Sequence, residues 1–129
     1  MSAILNGAQL ALLLDEAAHA AQFSLAAALR GAGGQPHPRI GWLTTHLSVR
    51  KRECWAAISG VADVPAVPPE LNLSALCRWE VEQAARLSAD ELARTVDRQT
   101  VATLLRLNMR HMLWYAGQIA ALTDGPRLA

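Results

Sequence analysis

Apolar residues recur along this chain every three or four positions and nowhere alternate over a strand-length run. That period places them on one face of a helix and predicts an all-helical chain. The first stripe is Leu10, Leu13, Leu14, Ala17, Ala21, Leu25 and Ala28. Asn6 ahead of Gln9 forms a capping-box pattern, and Gly31-Ala32-Gly33-Gly34 closes the run, which predicts one helix over about 7–30. A second stripe, Ile40, Leu43, Leu47, Cys54 and Ile58, follows Pro36-His37-Pro38 and stops at Gly60. Proline suits the first helical position because no hydrogen bond is lost there.

Asp63, Pro65, Pro68 and Pro69 make a connection rather than a domain boundary. Leu73, Leu76, Cys77, Ala84 and Leu87 mark a third helix, and Ser88-Ala89-Asp90-Glu91 repeats the capping-box pattern ahead of a short helical turn. Thr100 is placed to cap the last helix, with Val101, Leu105, Met112, Ala116 and Ile119 on its inner face and a stop near Thr123-Asp124-Gly125-Pro126. The three longest segments span about 30–36 Å each at the α-helical rise. Rods of matched length joined by short connections pack side by side, so the predicted fold is a single-domain, up-and-down four-helix bundle over 1–129.

Composition narrows the function classes. The chain has 129 residues, 52% of them hydrophobic and 18% charged, enough for one core and too few for two. Twelve basic against eleven acidic residues give a formal charge of +1, which argues against nucleic acid as the partner. No Lys or Arg precedes Arg30, and Asp15, Glu16, His19 and Gln22 interrupt the apolar stretch over 8–29. Neither a signal peptide nor a membrane span fits, and the expected location is cytoplasmic. Cys54 and Cys77 fall on inward stripes and read as packed, reduced thiols.

Candidate chemistry concentrates on two helices. His111, Tyr115 and Gln118 share a face of the last helix with Leu104, Asn108 and Leu122, and His46 flanks the apolar stripe of the second. A divalent metal in a catalytic site takes about three protein ligands and an open position. His46 and His111 would supply two. Tyr115 is placed to be the third, although a phenol must first lose a proton with an ordinary pKa near ~10. Glu80 lies in the middle of the third stripe, where a carboxylate needs a partner: a metal, a ligating imidazole it orients, or an Arg at the bundle edge.

Other features carry less. Glu16-Ala17-Ala18-His19 matches a di-iron Glu-x-x-His pattern but has no second copy on another helix. Leu12, Glu16, His19 and Phe23 form a mixed outer stripe that a second copy of the chain could cover, which suggests a homodimer through the first helix. Val49-Arg50-Lys51-Arg52-Glu53 reads as a solvated basic run, with Arg50 one turn past His46 and able to attract the carboxylate of a small acid or thiol. Trp42, Trp79, Trp114 and Met112 are candidates to line a cavity at one end of the bundle.

The order of "GWLTTHL" with His46, "LSADELARTV", and "TVATLLRLNMRHMLWYAGQIAAL" at the end resembles the DinB-like family of four-helix-bundle metalloenzymes. That family includes thiol-dependent S-transferases and mycothiol-dependent maleylpyruvate isomerases. The resemblance implies a metal held by one His of the second helix and a His-x-x-x-His pair before Gly-Gln on the fourth. His46 and His111 match two of those positions, and Tyr115 stands where the third His would be. It implies a divalent metal, Zn or Ni, a low-molecular-weight thiol, and a transferase acting on a small-molecule substrate. The alternative is a non-catalytic homodimeric bundle or small-molecule-binding module that keeps the architecture with a degenerate metal site.

Overall fold

In the computed structural model, residues 5–33 and 37–124 are described. Among them are six helices and one minimal hairpin: α1 (Gly7–His19), α2 (Leu25–Gly31), α3 (Pro38–Ser59), α4 (Leu73–Arg86), α5 (Ala89–Ala93), β1 (Thr95–Val96), β2 (Gln99–Thr100) and α6 (Val101–Asp124). The chain is therefore all-α in class. Both capping boxes form, Asn6 with Gln9 and Ser88 with Glu91, and Thr100 Oγ1 accepts the Thr103 N–H at 3.1 Å to cap α6. The expected helix signals at Gly34, Pro36, Gly125 and Pro126 lie outside the described residues.

The single helix expected over 7–30 is broken. Ala20 turns extended and Phe23 takes a left-handed φ of 56°. Ser24 then starts a new helix: its buried hydroxyl donates to the Ala20 carbonyl at 2.5 Å and accepts the Ala27 N–H at 3.1 Å. Phe23 is left 92% exposed. Apolar spacing continues through the break, and Ser24 lacks a Glu or Gln at Ala27 to complete a capping box, so periodicity concealed it.

A second departure is the hairpin, where Thr95 pairs with Thr100 and Val96 with Gln99. Its turn residues, Asp97 and Arg98, both hold positive φ, 49° and 72°. Two residues per strand are too few to show an alternating pattern.

Helix pairing follows from close contacts. Gly7 of α1 lies against Ala84 and Leu87, at and just past the end of α4, while Ala18 and His19 line one small cavity with Leu73 and Ser74 at its beginning, so the two run antiparallel. Likewise α3 and α6 are antiparallel, with His46 beside Tyr115, Arg50 beside His111, Lys51 beside Asn108 and Cys54 beside Leu104. Helix α6 also packs on α1 and α2, and α3 on α4. Leu14, Leu43, Leu76, Leu105 and Ile119 fill the space between them. The proline-rich connection is tied to α3 by Arg52, whose guanidinium donates to the carbonyls of Pro68 and Leu71 at 3.1 and 2.7 Å.

Gly7 is needed for the α1–α4 approach. A Cβ there would sit 2.6 Å from the Ala84 carbonyl oxygen and 2.7 Å from that of Leu87. Backbone oxygens cannot rotate away, so Gly7→Ala is expected to cost about 1–3 kcal/mol, read as a lower urea midpoint with an unchanged slope.

Candidate functional site

The seam between α3 and α6 gathers most of the residues singled out by the sequence. Along α3 run Trp42, His46, Arg50 and Lys51, and along α6 run Tyr115, His111 and Asn108. The helical repeat of three to four positions brings each group to the same seam from both sides.

Aromatic groups occupy its outer end. Arg39 lies over the Trp42 ring at 4.4 Å, and Trp42 stacks on His46 with centroids 4.7 Å apart and planes 9° apart. His46 meets the buried Tyr115 ring edge to face at 6.0 Å, and Tyr115 touches Trp114. Trp42 and Trp114 stay 49% and 57% exposed. Trp79 instead packs edge to face on Trp55 at 5.2 Å, and Met112 is fully buried beside Cys77. The four residues expected to line one cavity are thus divided: Trp42 and Trp114 are exposed, Trp79 is half-buried against Trp55, and Met112 lies in the core.

One turn inward, Arg50 Nη2 lies 3.3 Å from His111 Nε2. A guanidinium can only donate, so His111 accepts with Nε2 and carries its proton on Nδ1. Burial, then the charges of Arg50 and Lys51, hold the His111 pKa below the ordinary 6.5. The neutral ring is the one the fold favours. Stability from this site is therefore present above pH 6.5 and is lost as the pH falls from there through the folded-state value. His111→Gln removes that titration. In wild type the unfolding midpoint should fall on acidification through this range by more than in the variant.

Deeper still is a network the sequence reading missed. Lys51, 1% exposed, donates to Glu80 Oε1 and to Asn108 Oδ1, each at 2.7 Å. The Trp55 indole N–H reaches Glu80 Oε2 at 2.7 Å, and the Asn108 amide donates to the same oxygen. Glu80 is fully buried and both its oxygens are engaged. Its partner is a lysine from the middle of the basic run, not an Arg at the edge.

The expectation that this run solvates a helix face is corrected for Lys51, which lies inside, and for Arg52, which clamps the connection. The signal was present: Leu43, Leu47, Lys51 and Trp55 are spaced by four, so Lys51 continues the inward stripe. Flanking Arg50 and Arg52 hid it.

Beside this network a cleft of about 350 Å³ opens between α3, α6 and the hairpin. Leu47, Cys54, Ala57, Leu104 and Leu107 form its apolar wall. Arg50, His111, Glu53, Asp97 and Gln99 supply the polar groups. Burial pushes the Cys54 thiol up to about 12, and the Cys77 thiol up to about 11, so neither forms a thiolate near neutral pH. His19 is held locally by Asp15 at 3.0 Å. Leu12 remains 57% exposed.

The family resemblance implies a divalent metal at these residues. The Nε2 of His111 faces a guanidinium, which repels a second cation from that nitrogen. Glu80 has no oxygen to spare, and among the described residues no group of three His, Cys, Asp or Glu side chains is arranged to hold a metal ion. As placed, the set does not fit a three-ligand metal centre. Nor is any helix among the described residues long and apolar enough to cross a membrane. Comparison with protein-family models, curated proteins and solved structures finds no match for this chain.

Proposed function

We propose that this protein is a small-molecule-binding module, built on an up-and-down four-helix scaffold of the DinB-like type, whose α3–α6 cleft takes a small anion with an apolar portion. The observation that carries this reading is the position of Arg50. Its guanidinium sits in a cleft walled by leucines and has a neutral imidazole, rather than a carboxylate, as its partner. A cation so placed keeps its charge for a ligand, and a carboxylate or phosphate would replace His111 as its acceptor. At about 350 Å³ the cleft lies at the small end of ligand sites.

Isothermal titration with 4-methylpentanoate tests the reading. Wild type is expected to bind it, and Arg50→Gln to weaken binding by about ten- to a hundredfold, the worth of one charge-assisted hydrogen bond. Absence of binding by wild type would overturn the proposal. Metal content measured without an affinity tag is expected to fall well below one ion per chain. A full equivalent of Zn or Ni, lost on His111→Ala, would instead support the metal-dependent transferase.

A further inference from the structure

We infer that the ligand of the α3–α6 cleft is a zwitterion, a small apolar amino acid or a molecule of the same charge pattern, with its carboxylate on Arg50 and its ammonium between Glu53 and Asp97. This rests on the reading of that cleft as a small-molecule site and adds the second charge. Both acids line the cleft along with Arg50. Among the described residues neither Glu53 nor Asp97 makes an ion pair or a side-chain hydrogen bond, and Arg50 bonds only to His111. Lys51, the other cation of the lining, is already neutralised by Glu80. One free cation and two free carboxylates thus share a cavity without pairing to each other.

Opposite charges on the rim of one cleft attract, so their separation leaves two complementary demands for a ligand to meet. Arg50 and Glu53 are three residues apart on α3, close enough to pair, yet Arg50 turns across the seam to α6 instead. Asp97 comes from the hairpin turn, a different element from the helix that carries Arg50 and Glu53. The two-residue turn that carries it holds Asp97 and Arg98 at positive φ, as a tight hairpin requires, and Asp is among the residues that tolerate this at the first position. The apolar wall of Leu47, Leu104 and Leu107 is then left for an aliphatic side chain.

The test compares three probes by isothermal titration: L-leucine, 4-methylpentanoate, which lacks the amine, and 3-methylbutylamine, which lacks the carboxylate. Leucine is expected to bind about tenfold more tightly than either. Asp97→Asn, a residue that tolerates the turn's backbone, and Glu53→Gln should each shrink the advantage of leucine over 4-methylpentanoate while leaving 4-methylpentanoate binding within about twofold. If 4-methylpentanoate binds as well as leucine, or if the advantage survives both substitutions, the zwitterion inference falls and the anion reading stands. If none of the three binds, both fall.

Discussion

Lys51→Met is expected to lower the unfolding free energy by about 3–5 kcal/mol, the largest single-residue effect in this protein apart from loss of a core tryptophan. The substitution keeps the length and most of the volume of the side chain and removes its charge. Glu80 would then remain as a carboxylate in the interior with only the Trp55 and Asn108 N–H groups as donors. Two neutral donors do not offset the transfer of a full negative charge out of water. Total stability for a domain of this size is about 5–15 kcal/mol, so the substitution removes between about a fifth and all of it.

The double variant Lys51→Met, Glu80→Gln separates charge from shape. A neutral amide still accepts the indole N–H, and no charge is left in the core, so more than half of the loss should return. Denaturant titration of the three proteins decides this. A loss below about 1 kcal/mol for Lys51→Met would mean that the pair behaves as a solvated surface bridge, against its burial here.

Trp55→Ala should cost a comparable amount, about 3–5 kcal/mol, by a different route. Trp55 is 1% exposed and stands edge to face on Trp79, so truncation empties a large volume that its neighbours cannot close. Trp55→Phe isolates the hydrogen bond: most of the ring is kept, the indole N–H is lost, and Glu80 Oε2 keeps only Asn108. That variant should lose about 1–3 kcal/mol. Because Trp55 and Lys51 share Glu80, their effects should be non-additive in a double-mutant cycle. Strict additivity would show that the network is not a unit.

The bearing of this network on the proposed function is mechanical. Lys51 and Asn108 belong both to the network and to the lining of the cleft, so the ion pair fixes the base on which Arg50 and His111 stand. The proposed binding site would need walls that do not move when a ligand arrives, and three helices cross-linked through a buried, hydrogen-bonded ion pair would supply them.

How much of this was legible in the residues differs from element to element. Periods of three to four, two capping boxes and a proline at a helix start determine that the chain is helical and nearly where its helices begin and end, because these are interactions within a few residues of one another. The break at Ala20–Ser24 was not legible, since one serine hydroxyl serving both helix ends carries no pattern of its own. The sequence likewise marked Glu80 as needing a partner and brought His46, His111, Tyr115 and Arg50 into consideration.

Only the tertiary structure decided which groups meet. The antiparallel pairing of α3 and α6 set Arg50 on His111, the packing of α4 on α3 gave Glu80 to Lys51 rather than to an arginine, and the hairpin brought Asp97 to the lining of the cleft. Those outcomes depend on the register and rotation of helices distant in sequence. Register and rotation are fixed by how the whole interior packs, a quantity to which every core residue contributes and which no single motif encodes.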